Sequence, residues 1–183
     1  MQRTRRYAPP ELSLRFTAVW RRNFLVWRKL AIPSILGNLA DPLIMLFGLG
    51  YGLGAVMGEM SGSTYFAFLA AGFAASATMY AATFEALFSA FSRMHVQKTW
   101  EAIVNAPMTL DDVLAGEWLW ATSKALAAGL CLIAVIAVFG YASFPMSLAA
   151  IPALALVGLA FAAIALAINA VANGYDFFSY YLT

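Results

Sequence analysis

Residues 65–91, YFAFLAAGFAASATMYAATFEALFSAF, decide the fold class of this chain. Glu85 is the only charged residue in the stretch, and a helix of about 20 apolar residues is long enough to cross the hydrocarbon core of a bilayer. The stretch is rich in Ala, Gly, Ser and Thr, the residues that let transmembrane helices approach one another closely. It therefore predicts a membrane-spanning helix that packs against other helices.

Three further apolar stretches of similar length predict spans at residues 32–53, 119–139 and 148–172. Composition agrees, because 63% of residues are hydrophobic and 11% are charged, whereas soluble domains are about half apolar and a quarter charged. The predicted fold is an all-α polytopic membrane protein, in which an amphipathic interfacial helix precedes four transmembrane helices. We expect a tail and interfacial helix over residues 1–31 and a transmembrane domain over residues 32–183.

The first predicted span contains residues that disfavour a regular helix in lipid. Pro33, Gly37 and Asn38 are followed by the pair Asp41-Pro42. Proline removes a backbone donor inside a helix, and a charge deep in a span is costly. Aspartate before proline also suits the start of a helix. We therefore expect an irregular descent to Asp41 and a helix that begins at Pro42.

Residues 11–32 predict an amphipathic helix that lies in the plane of the membrane interface. Its apolar arc contains Leu12, Phe16, Val19, Trp20, Phe24, Trp27 and Leu30. Its cations are Arg15, Arg21, Arg22, Arg28 and Lys29. The tryptophans would lie at headgroup depth while the cations contact anionic lipid. The alternative is an ordinary surface helix.

The distribution of lysine and arginine predicts the orientation. Eight of the 11 precede the first span, and two, Arg93 and Lys98, lie in the polar connection at residues 92–118. The short turns after the first and third spans contain none. Because cytoplasmic loops are enriched in these residues, we expect the amino terminus and the polar connection to be cytoplasmic.

Glu85 and Lys124 are ionisable residues inside predicted spans. Each lies about 10–12 Å from the cytoplasmic edge of its helix at 1.5 Å of rise per residue. Opposite charges at matched depth on consecutive antiparallel helices can offset the cost of burying each alone. The sequence predicts a Glu85–Lys124 ion pair, and the alternative is that Lys124 extends alone to the interface. Asp41 is the third intramembrane charge.

The polar connection contains a short amphipathic stretch at residues 98–105, followed by Ala106-Pro107. Thr109, with Asp112 three positions later, predicts the start of the next helix. Nothing in the connection itself covers the apolar side chains of the short helix, so it suits docking onto a cytoplasmic partner. The alternative is a plain interfacial hairpin. The candidate contact residues are Lys98, Thr99, Trp100, Glu101, Ile103 and Val104.

Residues that would indicate catalysis or metal binding are sparse. The sequence has no GxxxxGK[ST] phosphate loop. His95 is its only histidine, and Cys131 its only cysteine. Asp111, Asp112 and Glu117 cluster near a predicted helix start, where negative charge is favourable without catalysis. We expect no enzyme activity in this chain, no catalytic residue, no metal site, no bound cofactor and no nucleic-acid partner.

Residues 68–124 resemble the permease subunits of ABC-2-type exporters, and among them those that export lipo-oligosaccharides of the nodulation type. The resemblance rests on the runs TFE, QKTWEA and LAGE, with the opening WRRNFLVWRKLAIPSILGNLADPLI and the closing YDFFSYYLT. It implies a permease that pairs with a second permease copy and with two copies of a cytoplasmic ATPase, which binds ATP and Mg²⁺. Residues 98–105 would be the coupling helix, with Trp100 and Glu101 at the ATPase contact.

The same resemblance implies a substrate and a cellular location. The substrate would be an amphiphile, such as a glycolipid, a lipo-oligosaccharide or a polysaccharide-type lipid. The permease would move it outward across the inner membrane of a bacterium. Members of the family have six spans, whereas this sequence ends where a fifth would begin, so we expect a fragment. The alternative function is a non-transporting scaffold or a truncated relic of a permease.

Overall fold

A computed structural model describes residues 13–57, 59–60, 63–141 and 144–182. The helices are α1 (Phe16–Trp27), a 3₁₀ turn (Arg28–Leu30), α2 (Ala31–Met57), α3 (Tyr65–Phe84), π-helical segments at Glu85–Ser89 and Ser92–Val96, α4 (Thr99–Val104), α5 (Leu110–Val138), α6 (Phe144–Val171) and α7 (Asp176–Leu182). A short antiparallel hairpin joins α2 to α3. Its strands are β1 (Glu59–Met60) and β2 (Ser63–Thr64), of two residues each.

Within these described residues, four helical stretches are long and apolar enough to cross a membrane. They are Phe16–Met57, Tyr65–Val96, Leu110–Val138 and Leu148–Val171. The predicted all-α fold with four transmembrane helices is confirmed, and the chain is a multi-pass membrane protein. The division into an interfacial segment and a transmembrane domain stays a prediction.

The predicted break at Asp41-Pro42 is wrong, because α2 continues through both residues. Pro33 lies in the first turn of α2, where the backbone N–H needs no partner within the helix. Pro42 removes one hydrogen bond from the middle of the helix. The apolar residues on either side favour a regular helix, since an unwound backbone facing lipid would leave many more groups unpaired.

Helices α3, α5 and α6 pack against one another and form the core. Alanines of α3, α5 and α6 form much of this core. Gly129 of α5 allows the closest approach, because a Cβ atom there would lie 2.1 Å from Thr78 Oγ1 and 3.1 Å from Leu154 Cδ1. Small residues therefore bring three spans together, as the sequence predicted for α3.

Helix α1 packs along the first half of α5. A Cβ atom at Gly116 would lie 2.6 Å from Val19 Cβ, so the glycine permits this contact. The aromatic arc of α1 also contacts α5, since the ring of Trp120 makes edge contacts with Trp20 and Trp27. The arc that was expected to face lipid is thus partly covered by the protein itself. Residues 11 and 12 of the predicted helix lie outside the described residues.

Candidate functional site

Four charged side chains meet where α3, its π-helical extension and α5 come together. We call Glu85, Arg93, Glu117 and Lys124 the charge cluster. Lys124 Nζ lies 2.8 Å from Glu85 Oε2, and Arg93 Nη2 lies 2.9 Å from Glu85 Oε1 and 2.6 Å from Glu117 Oε2. Arg93 Nε donates a further hydrogen bond of 2.9 Å to Glu117 Oε1. Arg93 therefore bridges two buried carboxylates.

Two tryptophans complete the hydrogen bonding of these carboxylates. Trp120 Nε1 donates to Glu85 Oε1 at 2.8 Å, and Trp100 Nε1 donates to Glu117 Oε1 at 3.2 Å. Both glutamates are almost fully buried. Buried carboxylates are tolerated when cations and additional donors compensate their lost hydration. The cluster fulfils this requirement for Glu85 and Glu117 alike.

The π-helical segment at Glu85–Ser89 explains how Arg93 reaches Glu85. Eight residues of regular α-helix leave two side chains about 80° apart around the axis. A π-turn holds one more residue per turn, which reduces that offset to roughly 20°. Because helical side chains lean toward the amino terminus, Arg93 can extend back along the helix to Glu85.

The structure contains the Glu85–Lys124 ion pair that matched depth predicted. Sequence reasoning missed Arg93 and Glu117, which it assigned to the cytoplasmic connection. Glu117 lies about two turns inside α5, which begins at Leu110, before the predicted span at residues 119–139. The helix start predicted at Thr109 is confirmed, because Thr109 and Asp112 form a capping box there. The part played by these residues in the activity stays a prediction.

The short helix predicted at residues 98–105 is present as α4. Trp100, expected at a partner contact, is only 6% exposed and packs with Val19, Ala90 and Val113. The expectation for Trp100 is wrong, because other residues of the chain cover its side chain. An amphipathic pattern identifies the apolar face of a helix but does not identify the residues that cover it. Here the face is covered by α1, α5 and the end of the π-helical extension.

The other residues of α4 divide between two faces. Ile103 is partly buried against the cluster that contains Trp100, and Thr99 Oγ1 accepts a hydrogen bond of 3.4 Å from Arg22 Nη2. Glu101 and Val104 are exposed, as is Lys98, which precedes the helix with a left-handed backbone at φ 51°. The open face of α4 is therefore formed by Lys98, Glu101 and Val104.

Helix α1 is anchored to the same region. Ser13 donates hydrogen bonds from its backbone and side chain to Asp112, at 2.8 to 3.0 Å, and Arg15 donates to the carbonyl of Pro107. Trp20 Nε1 donates to Ser123 Oγ at 3.1 Å, and Trp27 Nε1 donates to Ser34 Oγ at 3.0 Å. The remaining predicted interfacial cations, Arg21, Arg28 and Lys29, are exposed.

Asp41 lies apart from the charge cluster. It is exposed and lines a cavity of about 550 Å³ between α2 and α3, together with Asn38, Ser76 and Tyr80. Within the described residues, Asp41 has no cation at ion-pair distance. The structure therefore does not bring the three predicted intramembrane charges together.

Proteins called nodulation protein J are similar to this chain along nearly its whole length. The one from Bradyrhizobium diazoefficiens is 51% identical over 172 residues, which cover 94% of this chain and 66% of the relative. The one from Sinorhizobium fredii is 49% identical over 181 residues, which cover 98% of this chain and 69% of the relative. The chain belongs to the nodulation protein J family. A more distant member of that family, from Azorhizobium caulinodans, is 36% identical over 171 residues.

The chain spans about two thirds of the length of these nodulation protein J relatives. No family model and no solved structure matches it. Membership of the nodulation protein J family therefore rests on sequence identity that extends through α1, the charge cluster and α4, since the matched segments cover more than nine tenths of the chain.

Proposed function

We propose that this chain is the membrane permease subunit of an ATP-driven exporter of the ABC-2 type. The observation that carries the proposal is its identity of about half with nodulation protein J over nearly the whole chain. Its TFE, QKTWEA and LAGE runs, which resemble those of export permeases, support the same proposal. Four apolar helices supply four of the six spans that the resemblance implies for such a subunit.

The geometry of α4 supports a coupling role within this proposal. Its open face, Lys98, Glu101 and Val104, is free to contact a cytoplasmic ATPase. Its opposite face is held by Trp100, which donates to Glu117 of α5. Glu117 is joined through Arg93 to Glu85 and so to α3. A displacement of α4 would thus be transmitted to α3 and α5 through short, charge-assisted hydrogen bonds.

The partners follow from the same proposal. A separate ATPase subunit, present in two copies, would bind ATP and Mg²⁺ and hydrolyse the nucleotide. A second copy of this permease would complete the membrane domain, and lipids would surround it. The complex would lie in a bacterial inner membrane, with the amino terminus of this chain in the cytoplasm, as the Lys and Arg distribution predicts.

The proposed substrate is an amphiphile, namely a glycolipid, a lipo-oligosaccharide or a polysaccharide-type lipid, moved outward by alternating access. The cavity between α2 and α3 fits such a molecule in character. It combines aromatic and aliphatic walls, including Phe73 and Met45, with polar groups on Asn38, Ser76 and Tyr80. A lipid tail and a hydroxyl-rich headgroup need these two kinds of contact.

The experiment is affinity purification of the tagged protein from mild detergent, with mass spectrometry of the chains that accompany it. We expect an ATPase that contains a phosphate loop, and about tenfold less of it with Glu101→Lys, because reversing a charge in an interface weakens docking. Asp176→Lys is the matched control, since Asp176 is an exposed acid on α7. Recovery of no ATPase, or equal loss in both variants, would contradict the proposal.

A further inference from the structure

A cavity of about 260 Å³ with both polar and apolar walls opens beside the charge cluster, between α1, the start of α2, the extension of α3 and α5. It is separate from the larger cavity between α2 and α3. Its polar walls are rich in hydrogen-bond donors. They include Arg22, Asn23, Ser34, Ser89, Gln97 and Lys124.

The charges that face this cavity do not balance. Arg93 and Lys124 are matched by Glu85 and Glu117 within the charge cluster. Arg22 adds a further cation, and it donates only to neutral acceptors, Asn23 Oδ1 at 3.0 Å and Thr99 Oγ1 at 3.4 Å. In the described part of the chain no carboxylate forms an ion pair with Arg22. The cavity wall and the charge cluster, with Glu117 counted, therefore carry one excess positive charge.

Asn23 supplies an independent indication that a ligand is accommodated here. Its side chain lines the cavity, is only 3% exposed, and has an Nδ2 group without a hydrogen-bond partner among the described residues. The hydrogen bond from Arg22 to Asn23 Oδ1 fixes which end of the amide is the donor. A buried donor without an acceptor is costly. An acceptor bound in the cavity would satisfy it.

We propose that this cavity binds an anionic phosphate group. A phosphate has several strong acceptor oxygens and carries negative charge, so it complements both the excess cation and the unsatisfied donor. The guanidinium of Arg22 matches phosphate geometry better than a lysine would, because its planar fork can donate two parallel hydrogen bonds. The other donors of the wall, on Ser34, Ser89 and Gln97, can contact the remaining oxygens.

The rim of the cavity favours the headgroup of an anionic phospholipid as the source of that phosphate. Val26 and Leu30 line the cavity and remain exposed. Apolar side chains beside a phosphate site give the adjoining acyl chain a surface to lie on. The predicted interfacial helix forms one wall of the site, and we expect this helix to lie near the headgroups of the cytoplasmic leaflet. A small soluble phosphate would share the polar contacts without the apolar ones.

The test is native mass spectrometry of the purified protein, titrated with phosphatidylglycerol, with phosphatidylcholine and with inorganic phosphate. We expect phosphatidylglycerol to be retained in preference to phosphatidylcholine, and Arg22→Gln to lower its affinity about tenfold, as expected for hydrogen bonds to a charged ligand. Arg21→Gln is the matched control, because it removes a neighbouring, exposed cation from the same helix. It should retain the lipid as the unaltered protein does.

A second variant guards against loss of folding in the first. Asn23→Asp keeps the acceptor oxygen beside Arg22 and supplies that guanidinium with an internal carboxylate, which should displace a phosphate while the fold persists. Inorganic phosphate that binds the unaltered protein but neither variant would support the site and assign it to a soluble ligand. Equal losses in Arg21→Gln and Arg22→Gln, or no binding of either phosphate source, would overturn the proposal.

Discussion

The interface between α3 and α5 and the interface between α2 and α3 each contain an acidic residue on an apolar helix, and they accommodate it in opposite ways. Glu85 is buried and accepts hydrogen bonds from Lys124, Arg93 and Trp120. Asp41 is exposed at a cavity of about 550 Å³ and has no such cation among the described residues. The α3–α5 interface is held by ion pairs, whereas the α2–α3 interface is packed around Leu46 and Phe66 and open around Asp41.

This difference teaches which interface can change during a transport cycle. Breaking the α3–α5 contact would leave several charges without partners in a place of low polarity, which opposes opening. Among the described residues no ion pair joins α2 to α3, and the buried residues of α2 are Leu46 and Gly50. We therefore expect α3 and α5 to move together as one rigid unit during transport, and we expect the substrate to contact α2.

The largest expected effect comes from Arg93→Met, which leaves Glu85 and Glu117 buried without their shared cation. We expect the free energy of unfolding in detergent to fall by about 3–5 kcal/mol. The measurement is a denaturant titration, with Arg21→Met as the control because Arg21 is exposed. Equal stability in the two variants would show that the ion pairs of Arg93 do not stabilise the α3–α5 interface.

A smaller effect is expected from Trp120→Phe, which keeps an aromatic ring at this position and deletes the hydrogen bond from Trp120 to Glu85. Since the acceptor is a charged carboxylate, the loss should be about 1.5–3 kcal/mol in the same titration. Trp118→Phe is a suitable control, because Trp118 donates to the carbonyl of Leu159 near the surface and not to a buried carboxylate. A larger loss at Trp118 than at Trp120 would contradict the assignment.

The pairing of Glu85 with Lys124 can be measured by a double-mutant cycle. Glu85→Gln and Lys124→Ala should each destabilise the protein, and the combined variant should cost about 1–2 kcal/mol less than the sum of the single variants. Additive losses would mean that the 2.8 Å contact between Lys124 Nζ and Glu85 Oε2 contributes nothing.

Glycine substitutions compare the same two interfaces without touching a charge. Gly129→Ala should destabilise by about 1–2 kcal/mol, because the new methyl group would collide with Thr78 in the packed core. Gly37→Ala, on the open side, meets no atom within 4 Å and should be neutral or slightly stabilising, since alanine favours helix. Thermal unfolding of both variants in one detergent decides between these outcomes.

The smallest effect is expected from Asp41→Asn, which should change the free energy of unfolding by about 0.5 kcal/mol or less, because the carboxylate is exposed. If Asp41 contributes to the proposed transport, the same variant should lower the transport rate while stability stays constant. A large loss of stability would show that Asp41 has a partner and that the two interfaces are alike.

The spans were predictable from the length of the apolar stretches. The Glu85–Lys124 ion pair was predictable because the regular rise of a helix gives the depth of each residue. The sequence did not reveal that Arg93 joins the pair, because the π-helical segment changes the angular position of Arg93 relative to Glu85. The expected break at Asp41-Pro42 was wrong, since a single lost hydrogen bond is less costly than an unwound backbone in lipid. Trp100 was assigned to a partner because periodicity cannot distinguish internal cover from a docking surface.

The most direct test of the proposed function is site-specific photocrosslinking in native membranes. The photoreactive residue p-benzoylphenylalanine would replace Val104, which is 42% exposed on the open face of α4, and in a parallel sample Val138, which is exposed at the opposite end of α5. We expect a crosslink to an ATPase subunit from position 104 and none from position 138. An ATPase crosslinked equally from both positions, or from neither, would contradict the proposed function.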